Sequence, residues 1–91
     1  MADWQKINGD IDQVSRFSTY VLDLHFKSVI GAIMCVEHFN TIRENLASQD
    51  LPFIYRTVRL GQTVSIIAPD KRSIDSAQSR IQCIIKGADS L

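Results

Sequence analysis

The amino-acid sequence predicts an α+β domain in which three antiparallel strands are packed on one side by helices, in the order β-α-α-β-β-α. Three observations carry this reading. The segments "FIYRTVRL" and "TVSIIA" are rich in β-branched residues and are separated by Gly61-Gln62. A glycine at the first of two turn positions supplies the positive φ that a type II′ hairpin needs. Val29, Ile33, Val36, Phe39, Ile42 and Leu46 recur every three or four residues, as the buried stripe of a helix does. The same spacing returns after Pro69 at Ile74, Ala77, Ile81 and Ile84. Elements that each carry one apolar face must bury it against one another, and helices on one side of a sheet is the simplest arrangement for this order.

The elements follow in turn. "WQKINGDIDQV" sets Trp4, Ile7, Ile11 and Val14 three and four apart, but Asn8-Gly9-Asp10 interrupts the pattern. Residues 1–16 are therefore read as a leader or a short helix. "FSTYVLDLHF" is aromatic and β-branched and alternates at Tyr20, Leu22 and Leu24, which predicts the first strand. The stripe from Val29 to Leu46 predicts two short helices end to end, with Gly31 as the break. Ser48-Gln49-Asp50 and Pro52 close the helical region, because proline disfavours a helical residue before it. Asp70 or Ser73 caps the last helix, and Gly87 is expected beyond its end. The domain then spans 17–87, with 88–91 as a tail. Its expected core joins Val64, Ile66, Ala77, Ile81 and Ile84 to Val36, Phe39 and Ile42.

Composition narrows the function classes. Ninety-one residues with 45% apolar content suit one domain that folds without a disulfide or a metal. Ten basic and ten acidic residues cancel, so no global field draws in a polyanion. Cys35 and Cys83 lie in apolar stretches without framework spacing, as buried thiols of a reducing compartment do. The longest apolar run, from Val29 to Val36, is too short to span a bilayer, and the N-terminus lacks a basic segment followed by an apolar one. A cytoplasmic protein without a membrane partner is expected.

"VSIIAPDKRSIDSAQSRIQCII" and Val29-Ile30-Gly31, eight residues after Val21, together carry a family resemblance. From about Val21 to Ile85 the chain resembles a KH domain of the eukaryotic type, with Ala77 and Ile81 at that family's alanine and isoleucine four apart. The resemblance implies the β-α-α-β-β-α order and an RNA clamp formed by a Gly-x-x-Gly loop between the first two helices. In this chain that loop reads Gly31-Ala32-Ile33-Met34. The family's glycines let the backbone approach phosphates with its amides facing them. Met34 obstructs that approach, and Ala32 and Ile33 bring no charge. Ile30, Ile33 and Met34 are read instead as core or interface residues.

Other constellations carry less. Cys35 and His38 stand three apart on a helix without further ligands at comparable spacing, so neither a metal nor another cofactor is expected. No orienting group completes a Cys-His nucleophile pair, and Asp10, Asp12, Asp23, Glu37, Glu44 and Asp50 are dispersed. An enzyme acting on a small-molecule substrate is not expected. Lys27, Arg43, Arg56 and Arg59, with Tyr55, outline either a modest groove for a single strand or, as the balanced charge favours, a solvated sheet face. Arg56 and Arg59 have opposite parity, so one of them points away from the helices.

These residues predict a degenerate KH-like module of an RNA-regulatory protein. It acts mainly through a protein partner or as a homodimer, and single-stranded RNA is bound weakly if at all. The apolar Ala32-Ile33-Met34 segment and the leader residues Trp4 and Ile7 are the expected interface.

Overall fold

The computed structural model describes residues 4–89, and the side chains of residues 4–81. Three helices and four strands follow in the order α1 (Trp4–Gly9), β1 (Ile11–Ser18), β2 (Val21–Phe26), α2 (Val29–Ala47), β3 (Arg56–Leu60), β4 (Thr63–Ile67) and α3 (Lys71–Asp89). The strands form one antiparallel sheet in the order β1-β2-β4-β3.

The fold class is α+β, as the sequence predicts, but the sheet gains a strand and the two expected helices become one. The extra strand is β1, which lies largely in the segment read as a leader. "FSTYVLDLHF" is the end of β1, a turn at Thr19-Tyr20, and β2. Ser18 Oγ accepts the Tyr20 amide across that turn at 3.3 Å. Tyr20 is consequently exposed, and the buried alternation on β2 is Leu22, Leu24 and Phe26.

Gly31 does not break α2 because the helix starts just before it. Ser28 has the extended backbone of an N-cap (φ −140°), and its Oγ accepts the Gly31 amide at 3.1 Å. The Asp10 carboxylate in turn accepts the Ser28 amide (3.1 Å) and hydroxyl (2.9 Å). A negative group at a helix N-terminus is favourable. It also takes up the space a side chain would need, since a Cβ at residue 31 would overlap the Asp10 carboxylate. Glycine is required there for close approach. The far end of α2 closes with Asp50 in the left-handed region (φ +57°) and the Leu51 amide donating to the Leu46 carbonyl at 2.8 Å.

The β3–β4 hairpin forms at Gly61-Gln62 as predicted. Gly61 has φ +62° and Gln62 does not have a positive φ, the signature of a type II′ turn. Asp70 caps α3 by accepting the Ser73 amide at 2.8 Å, and the helix continues through Gly87 rather than stopping before it.

The core lies between the sheet and the helices. Leu22, Leu24 and Phe26 of β2 and Val64 and Ile66 of β4 meet Ile7, Ala32, Cys35, Ile74 and Ile81. Val36, Phe39 and Ala77 pack against this cluster, as expected from their spacing, whereas Ile42, expected beside them, is half-buried outside it. The expected core residue Ile84 lies outside the described side chains. Ile7, fully buried, makes α1 part of the domain. The buried Cys35 thiol is pushed up to about 12 by desolvation.

Candidate interaction surface

The register divides the sheet into two faces. Residues opposite one another across a ladder share a face. Leu22, Leu24, Val64 and Ile66 face the helices. Val21, Asp23 and His25 of β2, Thr63, Ser65 and Ile67 of β4, and Arg56, Val58 and Leu60 of β3 therefore share the opposite face. Among the described residues no element covers it. Its middle is polar and internally satisfied. Ser65 Oγ donates to Asp23 Oδ1 at 2.6 Å, and His25 Nδ1 and Thr63 Oγ1 lie 3.0 Å apart. Its β3 border is apolar, with Val58 56% and Leu60 84% exposed.

The same register identifies the free backbone groups. Phe26 donates to the Gln62 carbonyl and Ala68 to the Tyr20 carbonyl, so the even-numbered residues of β4 bond toward β2. The odd-numbered ones bond toward β3, where they meet Arg56, Val58 and Leu60. The alternation turns the amides and carbonyls of Thr57 and Arg59 outward, away from the sheet. β3 pairs with β4 without a register shift. At the other edge, β1 carries two irregularities, between Ile11 and Gln13 and between Arg16 and Ser18. Each inserts one residue, Asp12 and Phe17 respectively, and bulges of this kind spoil an edge for further pairing.

The residues singled out from sequence are distributed as follows. Ala32 and Gly31 are buried and Met34 packs against the core, whereas Ile30 and Ile33 are exposed, Ile30 at 70%. Trp4 is half-buried and stacks on His38, with ring centroids 5.3 Å apart, and on Phe39 at 6.3 Å. The expected RNA-contacting residues make the following contacts. Tyr55 turns inward, where its hydroxyl donates to the Ser73 carbonyl at 2.9 Å and its ring meets Phe53 edge-on. Arg43 lies over Phe53, 5.8 Å from the ring centroid, and donates to the Tyr55 carbonyl at 3.3 Å. Lys27 sits at the start of α2, its carbonyl accepting from Gln62 Nε2, and Arg59 bends back to the Gly61 carbonyl. Of the two arginines on β3, Arg56 is the one on the open face.

Thr57, Val58 and Leu60 were not among the residues singled out. Their sequence signal is the short run "RTVRL", whose β-branched centre predicts a strand but says nothing about whether its outer side is paired. No helix of the described chain is long and apolar enough to cross a membrane. Comparison of the chain with protein-family models, with curated proteins and with solved structures finds no match in any of the three.

Proposed function

We propose that the chain is a protein-interaction module that associates with a second copy of itself by pairing β3 edges. One observation carries the reading: β3 is a regular edge strand with outward-facing backbone groups and exposed apolar side chains, while the opposite edge is bulged twice. A two-fold axis at Val58 sets Thr57 opposite the second copy's Arg59 and Arg56 opposite its Leu60. That register satisfies the outward amides in reciprocal pairs and places no like charges face to face. The balanced charge of the chain does not oppose it. α2 packs on β3 and carries the exposed Val29, Ile30 and Ile33, which add apolar surface to this part of the molecule.

The KH-like reading remains part of the proposal. It is supported by the strand-helix-strand-strand-helix order of β2-α2-β3-β4-α3. The continuous α2 has Gly31 inside its first turn, packed against Asp10, so the backbone there is not presented to a phosphate. Interaction with protein rather than RNA is the function this favours.

Sedimentation equilibrium over a concentration series tests the proposal. A reversible dimer is expected. Thr57→Pro removes an outward amide without touching the β3–β4 ladder, and should give a monomer whose denaturation midpoint is close to that of the parent monomer. A chain that is monomeric at every concentration, or a dimer indifferent to Thr57→Pro, overturns it. Titration with single-stranded RNA at low and moderate salt is expected to show weak binding at most, and tight salt-sensitive binding would favour the RNA reading instead.

A further inference from the structure

Among the described side chains, the helix layer leaves a gap over the sheet. Between α2 and α3 lies a cavity of about 400 Å3, floored by Ile66 of β4 and walled on the α3 side by Ala77. Aromatic rings form most of the rest: Trp4 at one end, Phe39 along α2, and Phe53 with Tyr55. The rings brace one another, Phe39 meeting Phe53 edge-on at 6.1 Å and Trp4 stacking on both His38 and Phe39. Tyr55 is held by its bond to the Ser73 carbonyl. Such mutual support makes a preformed pocket, and its volume falls in the range of sites for small ligands.

Its charge is one-sided. Among the described residues, Arg80 is an exposed guanidinium in the lining, no carboxylate lines the cavity, and Arg80 makes no ion pair. An apolar chamber with one cationic group at its border complements a molecule with an apolar body and one anionic end. We infer that this cavity binds a small amphipathic carboxylate, the size of a medium-chain fatty acid, with its chain among the aromatic rings and its carboxylate on Arg80. The site is separate from the β3 edge and does not depend on self-association.

Trp4 is the only tryptophan of the chain and lies in the cavity wall, so its emission reports occupancy directly. The full chain is titrated with decanoate, below its micellar concentration, and in parallel with decanol. A saturable change in Trp4 emission is expected with decanoate, at one molecule per chain by calorimetry. Decanol should bind about tenfold more weakly, the scale of one charge-assisted hydrogen bond at a partly exposed site. Arg80→Gln, at an exposed position, should bring decanoate down to the affinity of decanol. Ala77→Phe should fill the chamber and abolish both, with the far-ultraviolet circular dichroism unchanged. The absence of a saturable change with decanoate overturns the inference, as does equal binding of the acid and the alcohol or decanoate binding that Arg80→Gln leaves unaltered.

Discussion

The two edges of the sheet are built in opposite ways. β1 is irregular and tethered. It carries extra residues at Asp12 and Phe17, follows directly from α1 with its buried Ile7, and is held to the helix layer at both ends. Asp10, just before it, anchors the start of α2. Arg16 within it reaches α3, donating to Asp75 (2.8 Å) and Gln78 (2.9 Å) as well as to the carbonyls of its own turn. β3 is regular, five residues long, and joined to the sheet only through β4. The contrast sets an edge whose backbone irregularity is unfavourable for further pairing against one, three strands along, whose outer backbone groups follow a regular strand. The bulged edge is fixed within the domain, and the regular edge is available outside it.

Removing the anchors of β1 should have the largest effect. Ile7→Ala deletes a fully buried side chain at the α1 end and should cost about 2–5 kcal/mol in urea denaturation. A loss near zero would mean that α1 does not hold this side of the sheet. Gly31→Ala forces a methyl into the Asp10 carboxylate and should cost about 1–3 kcal/mol, as overpacking does. Asp10→Ala in the same chain should recover part of that loss, so the two changes will not add.

Deleting Phe17 sharpens the comparison instead of breaking it. The deletion brings Arg16 and Ser18 into one register and makes β1 more regular. Sedimentation should then show a share of assemblies larger than a dimer, because β1 from Gln13 to Ser18 would run without a register shift, although the irregularity at Asp12 remains. If the variant stays dimeric, the bulge is not what protects β1.

The smallest effect is a pH dependence at the same strand. Hydrogen bonds from Lys71 and then Arg16 hold the Asp75 carboxyl below the usual carboxylate range. The folded state therefore binds this proton less readily than the unfolded one. The contribution is present above the ordinary carboxylate pKa and is lost as pH falls through the lowered one. Asp75→Asn should flatten the acid limb of the stability profile slightly, and an unaltered limb would show that Arg16 holds β1 without that carboxylate.

The parts of the fold legible in the sequence were those with local signals. Gly61 specifies the β3–β4 turn, Asp70 starts α3, and the three-four spacing from Val29 onward gives the helix but not its buried face, since Val29 and Ile33 are exposed while Gly31, Ala32 and Cys35 are buried. β1 was concealed by its own bulge. Ile11 faces Phe26 and Val14 faces Leu24, so both lie on the helix side although they are three residues apart. Only the extra residue at Asp12 makes that parity possible, and in sequence the same spacing reads as a turn of helix. Gly31 has the sequence signature of a break because glycine usually weakens a helix, but here it makes room for a carboxylate from outside the helix. Of the expected interface, Ile30 and Ile33 are exposed, while Ile7, Gly31 and Ala32 are buried. No sequence signal marks β3 as an edge, because which strand ends a sheet follows from tertiary pairing. The cavity depends on the spacing between α2 and α3, which no periodicity encodes.

Arg16 also sets an order of events in the making of the chain. Its partners on α3 lie 59 and 62 residues further along. A ribosome adding about 5–20 residues per second takes about 3–12 s to cover the shorter of those distances. For that interval the β1–β2 hairpin has left the synthesis site without the helix that will cover it. A hairpin that forms in that interval carries the register shifts at Asp12 and Phe17 on its outer strand, and such irregularity disfavours pairing with a neighbouring nascent chain.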